Sequence, residues 1–157
     1  MDDKKHLKLY SALGATIVFA LIYSELFLLG GFHPDSNPSI VSYLLATFWI
    51  IFLVAFLCLV AHLFEMFLLK NKKQLSVIFY FLMGVLSGGT FSLVYINYDF
   101  LYFLIILTTL TTVGSMMFYM IKTSLNSMIL QKVLITSPLV AIPLLYLVSH
   151  FFHRSGI

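Results

Sequence analysis

The sequence predicts an all-α protein, a polytopic transmembrane helix bundle with five spans, and three observations predict it. The composition is 61% hydrophobic and only 10% charged, outside the range of ordinary soluble domains. Apolar runs long enough to cross a bilayer recur along the chain, separated by short polar stretches. In a five-span layout eight of the nine Lys and Arg residues fall on one side of the membrane. With 157 residues, a single integral membrane domain covering 1–157 is expected.

The first span is expected over residues 9–32, after a polar amino-terminal stretch, MDDKKHLK, and Glu25 is its only charge. The run is too long for the apolar region of a secretory signal and lacks a small-residue cleavage site, so it reads as a retained helix. His33-Pro34-Asp35-Ser36-Asn37-Pro38-Ser39 follows, a loop whose prolines and Asp/Asn/Ser cluster cannot continue a helix. The second span, residues 40–69, has Cys58, His62 and Glu65 as its only ionisable side chains, and it stops at Lys70-Asn71-Lys72-Lys73.

Residues 75–121 are interrupted only by Asn97 and Asp99. One straight helix of that length would measure ~70 Å, more than twice the bilayer core, so the run must fold back. Asn97-Tyr98-Asp99 supplies the turn chemistry, which predicts spans over 75–96 and 100–121. Tyr95, Tyr98 and Tyr102 flank that turn as an interfacial aromatic belt would. Residues 122–132, KTSLNSMILQK, are mixed in character and read as a surface loop or short interfacial helix. The fifth span, 133–152, contains Pro138 and Pro143, and the proline pair leaves an alternative of four spans plus an interfacial C-terminal helix.

The charge asymmetry places the amino terminus in the cytoplasm and the carboxyl terminus outside, in a cell membrane. It also excludes a nucleic-acid platform: the basic residues punctuate apolar runs and do not interleave with aromatics on a polar surface. The single Cys58, inside an apolar run, excludes an intrachain disulfide and any CxxC redox or zinc site. Asn37-Pro38-Ser39 carries the proline that a glycosylation sequon forbids, which is compatible with a bacterial protein. The layout resembles that of other short bacterial polytopic proteins, a likeness of layout without shared motifs.

Five groups of polar or small residues inside the runs are candidates for function. Glu25 lies about two turns from the outer end of the first span, where a carboxylate serves as a coupling group, a partner contact or simply an interfacial acid. His62 and Glu65 are spaced i, i+3 on one helix face, suiting a proton relay, a partner contact or a satisfied polar pair. No HExxH-type metal motif accompanies them. His150 and His153 share the same spacing near the outer side, with His33 in the outer loop; they are weak metal candidates, and neither a metal nor a cofactor is expected. Gly84-x-x-x-Gly88, followed by Gly89 and Thr90, gives the third span a small face for close helix packing within the hairpin or against a partner, matched by Thr108, Thr109, Thr111, Thr112, Gly114 and Ser115 on the fourth. Pro138 and Pro143 deprive the carbonyls of Leu134 and Leu139 of their helical partners, which bends a helix or, in transporters, lines a site.

No residue constellation names a reaction. Paired aspartates, a Ser/His couple or a metal motif at one depth would be needed for an intramembrane enzyme, and Glu25 and Glu65 fall at opposite faces in the layout. The expected function is therefore non-enzymatic: contact through helices, in the lipid bilayer, as an accessory, protective or regulatory subunit of a membrane-protein partner. The alternative is a small homo-oligomeric ion-coupled transporter using Glu25.

Overall fold

A computed structural model of the chain describes residues 3–27, 40–69, 72–93 and 100–155. They form α1 (Asp3–Phe27), α2 (Ile40–Phe64) continuing into a π-helical turn (Glu65–Leu69), α3 (Lys73–Ser92), α4 (Phe100–Ser124) and α5 (Met128–Ser155). Among the described residues there is no strand. Each of the five helices contains a stretch long and apolar enough to cross a membrane, and that of α5, Met128–Val148, meets the criterion as fully as the others. The loop at 33–39 and the turn at 97–99 lie outside the described residues.

Two boundaries differ from expectation. α1 begins at Asp3, so the polar residues before position 9 are already helical. The stretch 122–132 is neither a loop nor a separate interfacial helix: α4 runs through Ser124, α5 starts at Met128, and only residues 125–127 are non-helical. The polar residues there are absorbed by the helices. Thr123 Oγ1 donates back to the Tyr119 carbonyl at 2.9 Å, and Leu125 N–H closes the last turn on Ile121 O at 3.2 Å. Ser127 then caps α5, its Oγ accepting from Leu130 N–H at 3.4 Å while its carbonyl takes Gln131 N–H at 3.0 Å.

The helices sort into two compact units, Met1–Ala55 with Asn126–Ile157, and Phe56–Leu125. In the first, α1 packs on α5. Its buried residues Ser11, Ala12, Ala15 and Thr16 are small, which lets two backbones approach. The Ser11 and Thr16 hydroxyls bond back to Lys8 O and Ala12 O at 2.9 and 2.8 Å, so neither is stranded in apolar surroundings. Gly14 sits against the Leu134 carbonyl, where any Cβ would collide with the oxygen. That carbonyl is the one freed by Pro138, and the Ser137 hydroxyl donates to it at 2.7 Å. Both prolines lie inside one helix that continues through them. Lys8 Nζ donates to Asn126 Oδ1 at 2.8 Å, tying the start of α1 to the residues before α5.

In the second unit α3 and α4 form a hairpin. Every fourth residue of α3 is buried: Ser76, Tyr80, Gly84, Gly88 and Ser92. A Cβ on Gly84 would stand 2.5 Å from Thr112 Cα, and one on Gly88 would overlap Thr108 Cα, so both glycines permit a contact no other residue allows. Hydroxyls of α4 bridge the seam into α3 carbonyls: Thr111 to Gly84 O at 2.6 Å, Ser115 to Tyr80 O at 2.7 Å and Tyr119 to Lys73 O at 3.2 Å. The donors recur every four residues on α4 while the acceptors run backwards along α3, which fixes the antiparallel register.

Candidate functional site

The hairpin ends in a polar cluster drawn from three elements. Lys122 projects from the last turn of α4, Tyr80 from α3, and His62 and Glu65 from the end of α2 and the first residue of its π-helical turn. Side chains on a helix lean toward its amino terminus. Tyr80 therefore leans back toward the start of α3, and Lys122 leans inward along α4, so the two converge. The π-helical turn packs beside the base of α3, with Lys72 N–H on Leu69 O at 2.9 Å. A π-helical turn widens the helix by one residue and re-aims the side chains it carries, a device frequent at functional positions.

Lys122 Nζ donates to Glu65 Oε2 in a charge-assisted bond. It also donates to Tyr80 OH at 3.0 Å, and Tyr80 OH in turn donates to the same Glu65 oxygen at 3.0 Å. His62 Nδ1 stands 3.4 Å from Lys122 Nζ and 3.7 Å from Glu65 Oε2. The shorter distance decides its role. An ammonium only donates, so Nδ1 accepts, the ring proton is assigned to Nε2, and the 3.7 Å approach to Glu65 is proximity without a hydrogen bond. The three N–H bonds of Lys122 thus meet three acceptors. With Glu65 only 15% and Lys122 only 11% exposed, the pair is largely removed from solvent.

His62 and Glu65 come together as their spacing implied, joined by Tyr80 and Lys122, which the sequence reading did not single out. Gly84 and Gly88 lie on the same hairpin, and α4 occupies their face. Glu25 is in α1 and His150 and His153 are in α5, with side chains outside the described residues; His33 lies outside them altogether. Among the described residues no group of three or more His, Cys, Asp and Glu side chains is placed to hold a metal ion. Cys58 is a buried free thiol.

Fold and cluster together define a protein with five helices of membrane-crossing length and a closed polar cluster at one end of a helical hairpin. No known protein family, no curated protein and no solved structure matches the chain.

Proposed function

We propose that this is a multi-pass protein of the bacterial cell membrane that works by helix-to-helix contact with another membrane protein, as an accessory, protective or regulatory subunit, and carries out no reaction itself. The observation that supports this reading is the closure of the Glu65 cluster: its carboxylate, ammonium and phenol bond one another and leave no unpaired acid or base for chemistry. The amino terminus is cytoplasmic and the carboxyl terminus extracytoplasmic, on the distribution of Lys and Arg.

Purification from native membranes in mild detergent tests the reading. A stoichiometric second membrane protein, retained through size exclusion, is the expected result. A homo-oligomer whose reconstituted vesicles show cation-coupled flux, abolished in Glu25→Gln, would replace it with the transporter. For orientation, a cysteine introduced at Ser36 should react with an impermeant maleimide on intact cells and one at Asn71 should not; the opposite pattern inverts the topology.

A further inference from the structure

Lys122 occupies a cage whose walls are those that recognise an ammonium ion in general: a carboxylate, a phenolic oxygen and aromatic faces. Its Nζ lies 4.8 Å from the Tyr80 ring centroid, 5.8 Å from that of Phe118 and 6.0 Å from that of Tyr119. These distances are within the range of about 6 Å over which a ring face attracts a cation. The rings are tilted against each other, Tyr80 and Phe118 by 39° and Tyr80 and Tyr119 by 37°, so they line one hollow from different sides.

The walls are held in place without the lysine. Tyr80 and Phe118 are fully buried in the α3–α4 seam, Tyr119 is fixed by its bond to Lys73 O at 3.2 Å, and Glu65 accepts from Tyr80 at 3.0 Å. Lys122 belongs to the last turn of α4, and its four-carbon stem reaches into the cage from the helix end.

We propose that Glu65, Tyr80, Phe118 and Tyr119 form a binding site for aliphatic ammonium groups, and that Lys122 is the tethered ligand filling it in this structure. The acceptors at Glu65, Tyr80 and His62 are directional, so the site takes a primary ammonium with three N–H bonds in preference to a quaternary one with none. The helix-contact reading requires no ligand, so the two stand or fall separately. Two sources offer the group: a soluble primary amine, or the headgroup of an aminophospholipid.

The test uses full-length Lys122→Ala, with thermal unfolding followed by circular dichroism. In lipid-free detergent, n-butylammonium chloride should raise the midpoint with half-saturation in the millimolar range, beyond any effect of equal sodium chloride or tetramethylammonium chloride. In nanodiscs, phosphatidylethanolamine should raise it over phosphatidylcholine if the headgroup is the ligand. A rise in either arm that disappears in Lys122→Ala/Glu65→Gln supports the site and names its source. No rise in either arm, or a rise that survives Glu65→Gln, overturns it. Should Lys122→Ala fail to fold, Lys122→Ser, whose short side chain also leaves the cage empty, carries the same titrations.

Discussion

Removing one charge of the Glu65–Lys122 pair should cost far more than removing both. Lys122→Met keeps the stem against the Tyr80 ring but deletes the ammonium, leaving Glu65 without its cation while Tyr80 OH still donates at 3.0 Å. Breaking a buried pair costs about 3–5 kcal/mol, and because Glu65 and Lys122 remain 15% and 11% exposed the lower end applies, about 3 kcal/mol. Glu65→Gln should cost less, about 1.5 kcal/mol. There the ammonium retains Tyr80 OH, His62 Nδ1 at 3.4 Å and the ring faces, each face contributing about 0.5–1 kcal/mol. The double variant holds no stranded charge, and its glutamine still accepts from Tyr80, so it should lie within about 1 kcal/mol of the parent protein. For a chain of this size about 3 kcal/mol corresponds to a midpoint shift of about 6–12 °C. Cys58, the lone thiol and buried in the same unit, supplies the readout: a fluorogenic maleimide reacts with it only when the unit opens. If the double variant loses as much as the two single variants summed, within about 0.5 kcal/mol, the residues are not coupled and the cluster does not hold the unit together.

Two further predictions concern the α3–α4 seam, measured by the same thiol assay. Gly88→Ala should cost about 1–3 kcal/mol, because its Cβ meets the Thr108 backbone and stands 2.7 Å from Leu107 O, whereas Gly89→Ala, with nothing within 4 Å, should be neutral or slightly stabilising. Thr111→Val should lose about 0.6–1.7 kcal/mol with the bridge to Gly84 O, while Thr108→Val should be neutral or stabilising by about 1 kcal/mol, since Thr108 Oγ1 is buried without a hydrogen-bond partner. Equal losses at the two threonines would show that the hydroxyl bridges do not set the seam.

The fold was readable where physics acts locally. The run at 40–69 could only be a helix of spanning length, and the run at 75–121 could only fold back, so α3 and α4 follow from length alone. The small face at Gly84 and Gly88 was visible as a pair, although the sequence carries a longer period, Ser76, Tyr80, Gly84, Gly88 and Ser92, which counting in fours would have found. Residues 122–132 misled because Lys, Thr, Ser and Asn read as loop chemistry, yet side chains that bond back to the helix let such residues stay helical. The same loop chemistry hides the cluster: as a loop residue Lys122 reads only as an orientation charge, although Glu65, a carboxylate inside an apolar run, calls for a cation at its own depth. The end of the second predicted span, the start of the third and the end of the fourth lie on one side, which offers Tyr80 and Lys122 as its partners.

The pairing of α1 with α5 had no comparable signal, for a physical reason. Apolar side chains gain little by leaving lipid for another helix, so helices in a bilayer choose partners by close fit and by polar bonds. At this seam the fit is Gly14 against the Leu134 carbonyl, and the bond is Lys8 to Asn126. Each is a property of two residues far apart in the chain. Gly14 alone is one glycine in an apolar run, and Leu134 is unusual only because Pro138 follows it by one turn. The proline, in the sequence a mark of a kink, acquires its packing role only where a glycine from the first helix meets the carbonyl it exposes.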